Sequence, residues 1–217
     1  MKWIELYKLM KIFLHQLLVF SLCLTSTFVF SQEEENKWRA LFAIGVNSPS
    51  QNGFVEEFRS KSTNFPTINL GIQHFFKPQL GVKVDYGYNR FVNEDNSPEF
   101  KINYSRVNAQ IVFNASNALT FIPQDLNIIV HAGPGFSMVK PLNLYQDNNI
   151  AYFNAMAGLE FHYILSRAVS IVLDGSFIKG FSKDFEPITN GFGSFNGDLV
   201  TVTIGASVAL SGCRTCN

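Results

Sequence analysis

The stretch DLVTVTIGASVAL, residues 198–210, alternates strictly between two kinds of side chain. Every second residue from Val200 to Leu210 is apolar, and most residues between them are small or hydroxylated. A period of two predicts a β-strand with two different faces. After Asp198 neither face carries a charge, whereas a half-buried strand of a soluble sheet turns a charged face to water. The segment therefore argues against an ordinary soluble sheet.

Seven other segments have the same alternation. They are residues 38–47, 67–76, 80–90, 100–114, 126–138, 151–163 and 168–178. In each, the apolar row is large, and the polar row is rich in Gly, Asn, Ser and Thr but poor in charge. The first half of segment 100–114 is out of phase with its second half, which predicts a bulge near Ser105. Pro134 has no backbone donor, which predicts a kink or bulge in segment 126–138.

Composition agrees with a chain that avoids charge on its surfaces. Of 217 residues, only 16% are charged and 22 are Phe, whereas about a quarter of a typical soluble domain is charged. The formal net charge is zero, so the chain lacks the basic character of a nucleic-acid-binding protein. After residue 31 no apolar run reaches the roughly 18 to 20 residues that a membrane helix needs.

The N-terminus predicts export. Lysines precede an apolar run that ends in a small residue before an acidic stretch, so we expect residues 1–31 to be a signal peptide cleaved between Ser31 and Gln32. Met10 is an alternative start. A lipoprotein signal at Cys23 and an uncleaved membrane anchor are the other interpretations.

Eight strands of about ten residues, apolar on one face and polar on the other, predict a membrane β-barrel. A closed barrel is one of two structures that pair all of their backbone groups inside lipid. The predicted fold is all-β: an eight-stranded antiparallel up-and-down transmembrane β-barrel at residues 38–210, after the cleaved signal peptide. Residues 32–37 would be a short periplasmic segment and residues 211–217 a periplasmic tail.

The connections and the aromatic residues predict how the barrel is oriented. Short and long connections alternate, as in outer-membrane barrels, where the short turns are periplasmic and the long loops extracellular. Aromatic residues on the apolar row cluster at strand ends, as expected of interfacial girdles. The predicted periplasmic girdle is Trp38, Phe76, Phe113, Phe161 and Tyr163, and the outer girdle is Tyr86, Tyr88, Phe153 and Phe177.

Three stretches resemble one known family. INLGIQHFFKPQLGVKVDYGYNRF, NAMAGLEFHYILSRAVSIVLDGSFI and FNGDLVTVTIGASVAL are similar to the N-terminal barrel of OmpA-family outer-membrane proteins of Bacteroidetes-type bacteria. The resemblance covers about residues 37–211 and rests on strand pattern and turn positions. It implies an outer-membrane barrel. The sequence ends at SGCRTCN without the peptidoglycan-binding domain often found in that family, so that activity is not expected.

Charged and imidazole side chains interrupt the polar, inward row. They are Arg39, Lys83, Asp85, Arg106, His131, Glu160, His162 and Asp174. Unpaired ions in a narrow interior are costly, and an eight-stranded barrel has room for little more than its side chains. We therefore expect a mutually neutralising network that fills the lumen, with no metal or cofactor. A narrow gated conduction path and acid/base catalysis are the alternatives.

Two further features raise the possibility of chemistry. His74 lies on the lipid-facing row near the periplasmic end, and some eight-stranded barrels are lipid-modifying enzymes with a histidine on the outer wall. No serine lies two residues from His74, so we interpret it as an interfacial residue. Cys213 and Cys216 predict a disulfide in the tail, since zinc would need four ligands and a redox role would need a thioredoxin-like frame.

The predicted outer loop 179–198 contains four phenylalanines among glycines: Phe181, Phe185, Phe192 and Phe195. They would either bind a partner or pack together over the barrel mouth. The sequence thus predicts a monomeric, non-enzymatic barrel of the cell outer membrane, surrounded by lipid and lipopolysaccharide, with an envelope-structural or surface-interaction role. A narrow porin-like channel and a lipid-modifying enzyme are the alternatives.

Overall fold

The computed structural model describes residues 37–116, 119 and 122–210. The predicted signal peptide, its cleavage site and the predicted disulfide between Cys213 and Cys216 lie outside these residues. No helix in the described ranges is long and apolar enough to cross a membrane.

Eight antiparallel strands close into a barrel in which each strand pairs with the next and the last pairs with the first. They are β1 (Trp38–Pro49), β2 (Asn64–Phe75), β3 (Leu80–Val92), β4 (Lys101–Asn114), β5 (Leu126–Pro141), β6 (Ile150–Ile164), β7 (Val169–Phe181) and β8 (Leu199–Ala209). Within the described ranges, three short 3-10 helices lie in the connections: Gln51–Gly53, Asn143–Tyr145 and Ile188–Gly191. The predicted eight-stranded antiparallel barrel is confirmed.

The two ends of the barrel differ in the length of most of their connections, and connection 115–125 is the exception because it is longer than 93–100 and 142–149. One end, here called the turn end, has connections 76–79, 115–125 and 165–168. The other, the loop end, has connections 50–63, 93–100, 142–149 and 182–198. β1 begins and β8 ends at the turn end. This follows because an even number of up-and-down strands returns to the end of the barrel at which the first strand starts.

The alternation of the sequence becomes the difference between the outer and inner walls. In β8, Val202 and Ile204 are about half exposed on the outside, whereas Thr201 and Thr203 are buried inside. The predicted apolar rows of the other strands likewise face outward, except in the first half of β4. Exposed apolar residues therefore cover the outside of the closed sheet.

The predicted bulge near Ser105 is wrong. β3 and β4 pair without a register shift from Leu80↔Phe113 to Val92↔Lys101. Ile102 and Tyr104 therefore face inward, like Arg106 further along the strand, and both are fully buried. The hydrophobic pattern changes face because the interior itself becomes apolar near the loop end.

Pro134 also causes no bulge. β5 and β6 keep one register through Pro134↔Ala155. On the other side, the pairing of β5 with β4 is interrupted between Asn108↔Gly135 and Ile111↔Ala132, and it resumes in the same register. This interruption is what a residue without a backbone N–H produces in a sheet.

The interior at the loop end is filled by an apolar cluster, here called the plug. Its members are Phe54, Phe58, Phe91, Phe100, Ile102, Tyr104, Val139, Tyr152, Met156, Ile178, Phe195 and Leu199. Phe195 is fully buried, with its ring centroid 4.9 Å from that of Phe54 and 5.1 Å from that of Phe91. The expectation of a polar interior along the whole barrel is therefore wrong at this end.

Truncating the plug should destabilise the barrel. Phe195→Ala removes a fully buried ring, so we expect the free energy of unfolding to fall by about 3–5 kcal/mol. Urea unfolding in detergent micelles, followed by tryptophan fluorescence, measures the change. Leu144→Ala is the control, because Leu144 is 87% exposed at the same end and its loss should cost no more than about 0.5 kcal/mol. Equal stabilities of the two variants would contradict the plug.

Candidate functional site

The eight predicted charged and imidazole residues all lie on the inner wall, on six of the strands. Seven of them are buried, and Arg39 near the turn end is partly buried. The inward positions follow from the period of two, since each residue shares its row with the glycines and amides of the same strand. The barrel interior is therefore the candidate site, and its contacts decide what it can do.

Lys83 and Glu160 form an ion pair across the lumen. Lys83 lies on β3 and Glu160 on β6, which are not neighbours in the sheet, and Lys83 Nζ is 2.5 Å from Glu160 Oε1. The second carboxylate oxygen of Glu160 is 2.7 Å from His162 Nε2. Because both ions are almost fully buried, this contact ties opposite walls of the barrel together.

A second group of contacts runs around the wall from β3 to β7. Arg106 Nη2 is 3.5 Å from Asp85 Oδ2, and the Gln110 side-chain amide donates to Asp85. Gln110 Oε1 lies 2.5 Å from His131 Nδ1, and His131 Nε2 lies 3.0 Å from Asp174 Oδ2. The acid, amide and imidazole groups thus form one continuous chain of hydrogen bonds.

Neutral residues extend this network, although the sequence pattern alone does not single them out. Gln110 bridges two charged groups, as described above. Asn69 Oδ1 accepts from Arg106 at 3.2 Å, and the Ser176 hydroxyl donates to Asp174 at 2.6 Å. Their inward position in polar rows is a sequence signal, but their partners depend on which strands face each other.

Two glycines make room for the large polar groups. A Cβ at Gly87 would lie 1.4 Å from Arg106 Nη1. A Cβ at Gly158 would lie 2.6 Å from His131 Nε2 and 2.5 Å from Ser176 Oγ. Gly158 lies on β6, between the strands of His131 and Asp174, so its missing side chain is what allows these two residues to meet. The inward glycines of the sequence therefore have a packing role.

Arg39 stands apart from the other charges. Its Nε donates to Ser207 Oγ at 2.7 Å and its Nη2 to Ser170 Oγ at 3.1 Å. Within the described ranges it forms no ion pair. The balance of three cations and three anions expected from the sequence therefore does not describe the buried centre, where Lys83 and Arg106 face three carboxylates.

Three members of the network have the chemistry of metal ligands. His131, Glu160 and Asp174 place one ligand atom each within 4.8 Å of one another. Each is already engaged by the protein: Glu160 by Lys83 and Asp174 by His131. An ion would have to displace these contacts, so we assign no metal here.

Free space in the network is small. A cavity of about 30 Å³ is lined by Lys83, Asp85, Glu160 and Asp174, among others. Roughly 30 Å³ is one water molecule's share of the liquid. Among the described residues, this cavity is large enough for water but too small for a substrate.

The four loop phenylalanines do not form one exposed group. Phe195 is in the plug, and Phe192 stacks on Phe58 with ring centroids 5.4 Å apart. Phe181 is exposed at the end of β7, and Phe185 is partly buried. Of the two predicted alternatives, packing over the barrel mouth describes Phe192 and Phe195. Phe195 is fully buried, so it is not exposed for binding a partner.

His74 lies on the outer wall at the turn end, as predicted. Its ring is 4.3 Å from that of Trp38, centroid to centroid. Its Nδ1 is buried and has no hydrogen-bond partner within the described part of the chain. The contact with Trp38 gives His74 a packing role in the outer wall.

The architecture is that of eight-stranded outer-membrane β-barrels. Neisserial surface protein A superposes with a TM-score of 0.55 at 11% identity, covering 81% of this chain and 97% of that one. The outer-membrane protein OprG from Pseudomonas aeruginosa gives 0.53 at 8% identity, covering 79% and 94%. No family model matches the sequence, and no curated protein matches it. These identities show a shared fold, which by itself does not assign a function.

Removing one member of the cross-lumen pair should be costly. Lys83→Met leaves the buried Glu160 carboxylate without its ammonium partner, which we expect to lower the free energy of unfolding by about 3–5 kcal/mol. Adding Glu160→Gln should recover part of that loss. Urea unfolding in micelles measures both.

Lys179→Met is the matched control for this pair. Lys179 is also paired, 2.8 Å from Asp198, but its side chain is 54% exposed, so its loss should cost at most about 1 kcal/mol. If Lys83→Met cost no more than Lys179→Met, the network would not hold the barrel together.

Proposed function

We propose that this protein is a non-enzymatic β-barrel of the cell outer membrane, with an envelope-structural or surface-interaction role carried by its loop end. The proposal includes the exported, mature chain expected from the sequence. Its surroundings would be outer-membrane lipid and lipopolysaccharide. Membership of the OmpA family is part of the proposal and rests on the sequence resemblance.

The outer wall supports a membrane location. Large apolar side chains on the outside of all eight strands remain substantially exposed, such as Phe42, Ile72, Val84, Ile111 and Ile204. A soluble monomer rarely exposes so large and continuous an apolar surface. Contact of this belt with hydrocarbon costs no free energy, whereas its exposure to water is unfavourable.

The two ends support an orientation. The five aromatic residues predicted for the periplasmic girdle face outward at the turn end and are exposed; they are Trp38, Phe76, Phe113, Phe161 and Tyr163. Interfacial aromatics of this kind anchor barrels at the membrane surface. Short turns on the periplasmic side and long loops outside would follow the pattern of outer-membrane barrels.

The filled lumen is the observation that carries the functional proposal. The plug closes the interior at the loop end, and the ion-pair network occupies the middle. Since side chains fill the interior, a passive channel is disfavoured, and the loops are the parts free to contact other molecules. Because the sheet is closed, no strand edge needs a second copy, which favours a monomer.

The lipid-modifying enzyme is also disfavoured. Such an enzyme needs a nucleophile within hydrogen-bond reach of its base. In the part of the chain that the structure describes, His74 makes its ring contact with Trp38 and no hydrogen bond is formed by its Nδ1. An interfacial packing role is therefore the better explanation of this histidine.

Electrical recording tests the filled lumen. We expect wild-type protein reconstituted in planar bilayers to show no steady conductance, because the plug and the network leave no continuous aqueous path. A known outer-membrane porin in the same bilayers is the positive control. Steady open events from the wild type would overturn the loop-based role in favour of a channel.

Substitution on the outer wall tests the membrane location. Ile204 lies at the middle of β8 and faces outward, so Ile204→Arg should lower the free energy of unfolding in liposomes by about 2–4 kcal/mol. Ile204→Leu, which keeps the apolar surface, is the control. Urea titrations of both proteins in liposomes measure the difference. Equal stability of the two variants would mean that this face does not contact hydrocarbon.

A further inference from the structure

The outer wall changes its chemistry at the loop end of three neighbouring strands. On β4 and β5 the outward residues nearest the loops are Lys101 and Lys140, and on β3 Arg90 is the outward residue that precedes the terminal Val92. Lys101 and Lys140 are exposed, and Arg90 is partly exposed. These three residues, here called the basic patch, lie on the loop side of the apolar belt, at the level of lipid headgroups in the proposed orientation.

The strand register brings the three cations together. Arg90 is paired with Asn103 on β4, and Asn103 is paired with Lys140 on β5. Arg90 and Lys140 are therefore two strand spacings apart, roughly 10 Å. Lys101 is two residues beyond Asn103 on the same face, about 7 Å along the strand. Long flexible side chains at these separations can converge on one anion.

Arg90 is oriented by neutral groups of the wall. Its Nη2 donates to Tyr88 Oη at 2.8 Å and to Asn103 Oδ1 at 2.9 Å. Its Nε also donates to Asn103 Oδ1, at 3.1 Å. Neither partner is an anion, so these contacts fix the position of the guanidinium without forming an ion pair, and arginine is well suited to bind phosphate.

No carboxylate in the described ranges neutralises the patch. Glu94, Asp95 and Glu99 lie in the adjacent loop, but no ion pair links any of them to Lys101 or Lys140. On the other side of the barrel, Lys179 of β7 is also outward and near the loop end, but it is paired with Asp198 at 2.8 Å. The unpaired outward cations are thus concentrated on one side.

We propose that the basic patch binds the phosphate group of an anionic lipid headgroup in the outer leaflet. The inference rests on the proposed outer-membrane location. The apolar belt below the patch would contact the acyl chains of the same lipid, and Arg90 and the two lysines would contact its phosphate. Cations at a membrane surface attract anionic headgroups in this way, and arginine and lysine are the usual protein ligands of phosphate.

Binding of lipid A to the full mature chain in neutral detergent micelles tests the proposal. The probes are bisphosphorylated lipid A, the monophosphorylated form and inorganic phosphate, titrated by native mass spectrometry and fluorescence. The Lys101→Gln/Lys140→Gln double variant should bind bisphosphorylated lipid A about 25-fold more weakly, about fivefold for each lysine. Lys179→Gln is the matched control, with an expected change of less than about twofold because its charge is already paired.

Each outcome has one meaning. Three results together would support the site. The monophosphorylated lipid should bind more weakly than the bisphosphorylated one, and only the double variant should lose affinity. Inorganic phosphate should not compete. An unchanged double variant, or an equal loss in Lys179→Gln, would overturn it, and so would competition by inorganic phosphate at the lipid's own concentration. Heat-dependent gel mobility checks that all variants are folded. Failure of the wild type to insert into liposomes would instead overturn the outer-membrane location.

Discussion

Closure of the backbone hydrogen-bond ladder is the constraint on which the rest of the structure depends. A strand surrounded by hydrocarbon has no water to pair with its N–H and C=O groups. The pairing of β1 with β8, unbroken from Arg39↔Ala209 to Pro49↔Leu199, removes the last free edge. Once the sheet is closed, it has only an outside and an inside, so each side chain must suit either the surroundings of the barrel or its lumen.

The closed barrel must then fill its own interior. Eight strands leave space that side chains can occupy, and this chain fills it in two ways. Along the inner face of β4, Ile102 and Tyr104 belong to the plug, whereas Arg106 and Gln110 belong to the ion-pair network. The apolar part fills the loop end, and the polar part pairs its buried charges along the wall and, through Lys83 and Glu160, across the lumen.

The sequence predicted the elements of the barrel better than its interior. A period of two identifies strands and assigns their faces, and a row such as Val200 to Leu210 has one possible orientation in a lipid-facing barrel. The plug could not be predicted in the same way, because Phe54, Phe58 and Phe195 belong to loops, where no periodicity fixes the position of a side chain. The bulge predicted in β4 is wrong because Ile102 and Tyr104 face this apolar interior, which the sequence pattern does not reveal.

The charged residues of the interior show a similar division. Their inward direction follows from the alternation, but their pairing depends on the three-dimensional arrangement of strands that are distant in sequence. Lys83 meets Glu160 only because β3 and β6 face each other across the lumen. The sequence pattern predicts an acidic partner for Arg39. Because Arg39 lies near the turn end, it donates hydrogen bonds to Ser170 and Ser207 instead.

The plug also determines what kind of surface the loops present. Phe54 from the first long loop, Phe100 from the second and Phe195 from the last are packed together inside the barrel mouth. Backbone hydrogen bonds connect the same loops, including Asn196 N–H to the carbonyl of Gly53 at 3.0 Å and Glu94 N–H to that of Arg59 at 2.8 Å. Loops held in this way lose less conformational entropy when a partner binds. A filled lumen and a preorganised loop surface are thus two consequences of the same aromatic cluster.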